Sequence, residues 1–171
     1  MDITDRLRNL LHDGEVGAFN DLRLRCTEKG PLDLSKLIIP FGTKLAYADL
    51  SRTDLSETRF WGTDLTSANL KFSNLRKAVF SDSKVWGADL SNTDLRSAVF
   101  WQTKPVCNAQ FWGANFRGTV LVNLNEEEIR HIRRQGVNVH LADINPTVGI
   151  HRFFGENAEA ADRLGHLRVV Q

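Results

Sequence analysis

Five histidines, two cysteines and a broad scatter of carboxylates are the groups from which this 171-residue chain could build a reactive site. A zinc centre needs histidines or cysteines in close pairs, and a zinc protease needs a glutamate between them. His12, His131, His140, His151 and His166 form no His-x-x-x-His or His-Glu-x-x-His pattern, and Cys26 and Cys107 lie 81 residues apart. The cysteines read as small reduced hydrophobes, not as thiolate ligands or a disulfide framework. No glycine-rich phosphate loop or nucleophile elbow is present. The aspartates recur at positions suited to building turns, so no convergent carboxylate pair suggests a hydrolase. The expectation is a protein with no catalytic residues, no metal and no cofactor, acting through contact surfaces.

Composition bounds the setting of those surfaces. Lys+Arg number 22 against 21 Asp+Glu, a net charge of +1, with 42% hydrophobic and 25% charged residues, as expected for one soluble domain. No run reaches the roughly 18 apolar residues of a membrane helix. The opening Met1-Asp2-Ile3-Thr4-Asp5-Arg6 lacks a secretory profile. A cytoplasmic location without membrane contact is expected.

The elements that position the surfaces follow from a repeat. From Thr43 onward an Ala, Ser or Thr recurs every five residues through Ala48, Thr53, Thr58 and on to Thr103. Two residues after each comes a large apolar one: Leu45, Leu50, Leu55, Phe60, Leu65, Leu70, Leu75, Phe80, Val85, Leu90, Leu95, Phe100. A period of five matches neither a strand nor a helix, so the chain must turn at each unit. Phe60, Phe80 and Phe100 stand 20 apart, as do Leu50, Leu70 and Leu90, so four units make one circuit. The result is a four-sided solenoid with its large residues on the axis and coils stacked about 4.8 Å apart. The frame slips by one after Phe100 and resumes at Ala109/Phe111, Ala114/Phe116 and Thr119/Leu121, placing Val106 inward and an extra residue within Gln102 to Pro105. Sixteen units, or four coils, span residues 43–123.

The units Ala48-Asp49-Leu50-Ser51-Arg52, Ala68-Asn69-Leu70 and Ala88-Asp89-Leu90-Ser91-Asn92 resemble the pentapeptide-repeat family. The resemblance covers about half the chain and implies an all-β fold, a right-handed quadrilateral β-helix.

Three segments follow: an N-terminal helical cap and irregular first coil over 1–42, the β-helix over 43–123, and a capping helix with an apolar tail over 124–171. Solenoid ends need caps, because bare coils expose strand edges and an apolar core. Thr4 is expected to cap a helix carrying Leu7, Leu10 and Leu11 and ending near Gly14; a second amphipathic segment carries Val16, Phe19 and Leu22, and Leu32, Leu34 and Ile39 open the coil. Asn125 and Glu128 form a capping box, with Leu124 and Ile129 as a staple and Gly136 as the stop. Val137, Val139 and Leu141 alternate like a short strand, Asn145-Pro146 marks a turn, and the tail from Thr147 keeps Val148, Ile150, Phe153 and Phe154, which need a surface.

Two outer faces stand out. Beside the Leu55/Leu75/Leu95/Phe116 column, Arg76, Arg96 and Arg117 stack about 5 Å apart. Asp54, Asp94 and solvent can satisfy them, or they bind an anion or an acidic partner. Beside Phe60/Phe80/Phe100/Leu121 lie Trp61, Val79, Val99, Trp101, Val120 and Val122, an apolar stripe where other faces are polar. Such surface is either covered from within the chain, here by the tail, or is an interface with a protein partner or a second copy. A homodimer through the C-terminal region or this face is one form of the second reading. Trp86-Gly87 and Trp112-Gly113 repeat the Trp61-Gly62 pattern, with glycine at a corner of positive φ and tryptophan shielding it.

Three functions are compatible with these surfaces. The leading one is a non-enzymatic interaction or scaffold module whose partner the sequence does not name. The resemblance adds a second, DNA gyrase protection of the quinolone-resistance type by mimicry of duplex DNA. The coil carries ten Lys and Arg against seven Asp and Glu, a net +3, a poor imitation of a polymer with one negative charge per about 1.7 Å. The third, nucleic-acid binding through the arginine column, is not expected from a +1 chain with interleaved acids.

Overall fold

The computed structural model describes residues 2–26, 30–104, 106, 108–122 and 124–137. Two helices, α1 (Ile3–Asp13) and α2 (Val16–Leu24), precede seven short strands and a final helix, α3 (Glu126–Arg134). The strands are β1 (Leu32–Asp33), β2 (Ile38–Ile39), β3 (Thr53–Asp54), β4 (Arg59–Trp61), β5 (Val79–Ser81), β6 (Val99–Trp101) and β7 (Val120–Val122). All pair in parallel, β1 with β3 and β2-β4-β5-β6-β7 in one sheet. The chain is a β-solenoid of about four turns with helices at both ends.

The five-residue period is explained at the corners. At many corners the carbonyl of the axial residue accepts a hydrogen bond from the N–H three residues on, as in Leu45–Ala48, Leu65–Ala68 and Leu95–Ala98 (2.9–3.2 Å). The third residue of the turn has positive φ, for example Tyr47 at 63° and Ser97 at 59°, which fits a type II turn. Gly62, at φ 60°, also lies under the Phe41 ring, which a Cβ would approach to 2.6 Å. Gly113, at φ 69°, faces Asn92 Oδ1, 2.4 Å from where a Cβ would stand. The glycines after tryptophan thus occupy tight corners, as their spacing predicts.

The residue before each axial position explains the abundance of Asp and Asn. Asp54, Asp64, Asn74, Asp89 and Asn115 each accept the backbone N–H two residues on, closing an Asx turn (2.9–3.2 Å). Neighbouring coils are also joined by amide-to-carboxylate bonds, Asn69 to Asp49 and Asn74 to Asp54, both 3.0 Å. Inside the wall, hydroxyls of the small residues donate to axial carbonyls one coil back: Thr103 to Phe80 (2.7 Å), Ser73 to Leu50 (2.6 Å) and Ser83 to Phe60.

On the axis, the Leu, Phe and Val residues named above are buried, Val106 included. Phe60, Phe80 and Phe100 stack at 4.9 and 4.7 Å with planes 11° and 10° apart. Most coils are 20 residues long, but two steps are 21. Ile39 pairs with Phe60, and Val99 with Val120. The second slip is the one the sequence marks; Lys84 still faces Lys104 while Asp89 faces Gln110, and the intact Val106–Ala109 turn puts the extra residue just after Lys104. The first slip falls between Ile39 and Lys44, so Leu34 and Ile39 are already in register with the coil above. Each slip contains a proline, Pro40 or Pro105, which cannot donate to a ladder.

The caps differ from expectation in one detail. The N-cap of α1 is Asp2, whose carboxylate accepts the Ile3 N–H and whose extended backbone (φ −62°, ψ 155°) starts the helix before Thr4. Thr4 therefore sits inside the first turn. Gly14 ends α1 in the left-handed conformation, and Asn125 with Glu128 forms the full capping box of α3. Cys107, the 139–141 strand, the Asn145-Pro146 turn and the tail lie outside the described residues.

Candidate interaction surfaces

Outward residues run up the coil in columns on four sides, and the register assigns each column to its side. On the side of Leu55/Leu75/Leu95/Phe116, Asp94 holds Arg96 through both carboxylate oxygens, with Nε at 2.8 and 3.0 Å and Nη2 at 2.5 Å. Arg76 Nη1 approaches the same carboxylate at 3.9 Å. One aspartate thus neutralises much of the arginine column. Arg117, on the last coil, has no ion pair among the described residues. The column offers an anion one open guanidinium instead of three.

These contacts set the carboxyl chemistry. The hydrogen bond from the Arg96 guanidinium, outweighing burial, holds the Asp94 carboxyl below the usual carboxylate range, with the Arg96 backbone N–H and the nearby arginine charges adding to it. Asp33 is lowered first by the Ser35 backbone N–H. A carboxyl lowered in the folded state contributes stability above its unfolded pKa and loses it as pH falls through the folded value. Asp94→Asn keeps the Asx acceptor but cannot titrate. Its urea midpoint should fall less than the wild type's between pH 7 and about pH 3. An identical acid loss in both proteins would remove Asp94 from the account.

The stripe beside Phe60/Phe80/Phe100/Leu121 is a second apolar cluster, separate from the axial core. Successive strand residues face opposite sides, so Val99 and Trp101 point away from the axis that Phe100 faces. Yet Val99, Trp101, Val120 and Val122 are only 3, 7, 5 and 2% exposed. Val79 is half-buried and packs against them, while Trp61 is half-buried beside Arg59, whose guanidinium lies 5.5 Å from its ring. The indole N–H of Trp61 is itself buried with no acceptor among the described residues. No residue of α1, α2 or α3 belongs to this apolar cluster.

Apart from Phe41 at the first slip, the exposed aromatic surface lies on two adjoining sides instead. Tyr47, Phe72, Trp86 and Trp112 are 70, 51, 50 and 59% exposed. They stand at the ends of the Leu45/Leu65/Val85/Val106 and Leu50/Leu70/Leu90/Phe111 sides. Lys44, Lys84 and Lys104 share one column there with Asp64, and Arg52 lies over the Phe72 ring at 4.8 Å. The tryptophan–glycine pattern marked Trp86 and Trp112 as shields of their corners; the structure leaves half or more of each indole in solvent. Exposure is set by what packs outside the wall, which a repeat pattern does not encode.

Among the described residues no cluster of His, Cys, Asp or Glu could hold a metal ion, and no helix is long and apolar enough to cross a membrane.

The profile of the pentapeptide repeats matches residues 42–71 and 73–104 in 8 copies. No curated protein matches the chain. Among solved structures, the chain is similar to trypsin-treated QnrB1, a plasmid-mediated fluoroquinolone resistance protein, at 21% identity over 46% of this chain and 43% of that one, with a TM-score of 0.34. A pentapeptide repeat protein of the cyanobacterium Cyanothece 51142 is 21% identical over 70% of this chain and 60% of its own, with a TM-score of 0.28. One from the thylakoid lumen of Arabidopsis thaliana is 24% identical over 71% and 86%, with a TM-score of 0.22. The chain thus spans less than two thirds of the length of the first two.

Proposed function

Because the chain is a pentapeptide-repeat protein, we propose that it acts as a non-enzymatic interaction module that presents side chains from a rigid wall to a protein partner. The observation that carries this reading is the exposure of Tyr47, Phe72, Trp86 and Trp112 on two adjoining sides. Large aromatic side chains left in water are costly, and tryptophan and tyrosine dominate binding hot spots. The wall beneath them is stiff: each rung is tied by backbone ladders, Asx turns and buried hydroxyls, so little ordering entropy opposes docking.

Other readings have less support. The outward carboxylates are engaged in turns and inter-coil bonds, which leaves none converging as an acid–base pair. No face of the coil carries net negative charge, which disfavours mimicry of duplex DNA.

The test is capture from host lysate by immobilised wild-type protein, Trp86→Glu/Trp112→Glu and Arg117→Glu, each checked for native circular dichroism. A partner should be retained by wild type and by Arg117→Glu. It should be lost with the double tryptophan variant, whose affinity falls by about 2 kcal/mol or more per anchor. Retention of the same proteins by all three would reject the aromatic sides as the interface.

A further inference from the structure

Across the two aromatic sides the cations are Lys44, Arg52, Lys71, Lys84 and Lys104, and the carboxylates are Asp49, Asp64 and Asp89. We propose that the last two rungs of these sides, where Lys84 and Lys104 stand beside Trp86 and Trp112, dock an acidic peptide segment of a protein partner. Its carboxylates meet the lysines and its apolar side chains meet the indoles. This rests on the reading that the aromatic sides face a protein, and adds the chemistry of what they bind.

Three observations carry it. First, the acids are engaged in the wall while most of the cations are not. Asp49, half-buried, accepts the Ser51 N–H and hydroxyl at 3.2 and 2.7 Å and an Asn69 amide N–H at 3.0 Å. Asp64 accepts the Thr66 N–H at 3.0 Å, and Asp89 accepts the Ser91 N–H at 3.0 Å and holds Lys71 at 2.8 Å. Of these cations only Lys71 has an ion pair among the described residues, and Lys44, Lys84 and Lys104 are exposed. Second, the order up the column is Lys44, Asp64, Lys84, Lys104. Asp64 separates Lys44 from Lys84, but Lys84 and Lys104 stand on successive rungs about 4.8 Å apart with no acid between them. Like charges so placed repel, and a carboxylate laid against both relieves the repulsion. The matching column of the adjoining side changes in the same direction, from Asp49, Asn69 and Asp89 to Gln110 on its last rung. Third, Lys84 and Trp86 flank the buried axial Val85, so alternation sends both outward from one rung, about 7 Å apart. Trp112 stands one rung higher on the adjoining side. Apolar side chains of a partner cover the indoles, and the ammonium groups beside them select acidic neighbours for those side chains. The acid-free stretch of the lysine column is about 5 Å tall, which suits one or two carboxylates. A polyanionic strand following the whole column would run onto Asp64.

The test titrates the full chain, read by its indole emission, with a decapeptide alternating Glu and Leu, its counterpart with Lys for Glu, and a deoxythymidine decanucleotide. Wild type should bind the Glu decapeptide alone, with an affinity that falls as salt rises. Lys84→Glu/Lys104→Glu, checked for native circular dichroism, should bind it about tenfold or more weakly and take the Lys decapeptide instead. Lys84→Gln/Lys104→Gln should show the loss without the reversal, and replaces the first variant if that one does not fold. No binding of the Glu decapeptide by wild type, equal binding of the two decapeptides, or unchanged affinity in a folded variant would overturn the proposal. Tighter binding of the decanucleotide would overturn it in favour of a nucleic acid. Capture of a host partner separates this proposal from the reading beneath it. A partner lost with Trp86→Glu/Trp112→Glu yet retained by Lys84→Glu/Lys104→Glu would overturn the acidic segment and leave the interaction module standing. A partner retained by the tryptophan variant would reject the module reading itself.

Discussion

Phe80→Ala should lower the unfolding free energy by about 3–5 kcal/mol, the range for deleting a buried phenyl ring. Phe80 is the middle ring of the axial stack, with Phe60 at 4.9 Å and Phe100 at 4.7 Å, and it is fully buried. The loss has two parts. One is the transfer of the ring and the cavity left behind. The other is the loss of two offset-stacking contacts, each about 0.5–1.5 kcal/mol beyond area burial. The cavity cannot collapse readily, because the coils above and below are held at ladder spacing by backbone bonds such as Val79 N–H to Thr58 and Val99 N–H to Ala78, both 2.9 Å. Phe80→Leu should cost much less, since Leu occupies the axis on other sides and Leu121 ends this very column. Equilibrium urea unfolding measures both. A loss below about 1 kcal/mol for Phe80→Ala would mean that the column does not stack as described.

Gln135→Leu is the second large effect expected, about 1–3 kcal/mol, from a side chain that lies outside the repeat. Along the Leu50/Leu70/Leu90/Phe111 side the coils exchange a regular pair of bonds. Leu50, Leu70 and Leu90 donate upward to Asn69, Asp89 and Gln110, while Asn69, Asp89 and Gln110 donate downward to Ala48, Ala68 and Ala88. At the top rung Phe111 N–H and Ala109 C=O would have no coil above to meet. The Gln135 carboxamide meets both: Oε1 accepts from Phe111 at 2.6 Å, and Nε2 donates to Ala109 at 3.0 Å. A primary amide has the same donor–acceptor pair as a peptide unit, so α3 ends the ladder by supplying one more rung in side-chain form. The same column starts on Asn20 of α2, whose Oδ1 accepts the Asp49 N–H at 2.8 Å and whose Nδ2 donates to Tyr47 at 3.0 Å. Leucine keeps the volume of Gln135 and removes both polar atoms, leaving the buried Phe111 N–H unpaired while the Ala109 carbonyl keeps only His131 Nε2, at 2.9 Å. Amide exchange at Phe111 should accelerate in step with the stability loss. Unchanged exchange would show that the terminal rung is satisfied another way.

The period of five was the legible part, because each unit must supply a small wall residue and a large axial one. The opening coil was harder to read. Leu34 and Ile39 are in register, but the extra residue around Pro40 breaks the count before Thr43. The two carboxamide caps carry no local signal. Asn20 is a single polar residue on α2 and Gln135 the residue that caps the end of α3, and their partners lie 24 to 29 residues away. The stripe was visible as composition, and its burial was not, since burial depends on what packs outside the wall, which spacing does not encode. The arginine column was visible too, but its neutralisation by Asp94 depends on side-chain reach that spacing alone does not determine.

Different sides do different work: the aromatic sides face a partner, and the valine–tryptophan side is already buried along β6 and β7. Amide exchange of the complex with a captured partner, compared with free protein, tests that division most directly. Slowed exchange at 84–92 and 110–113, with β6 and β7 equally protected before and after binding, is the result expected. Partner-induced protection confined to β6 and β7, with the aromatic sides unchanged, would contradict it and move the interface to the stripe.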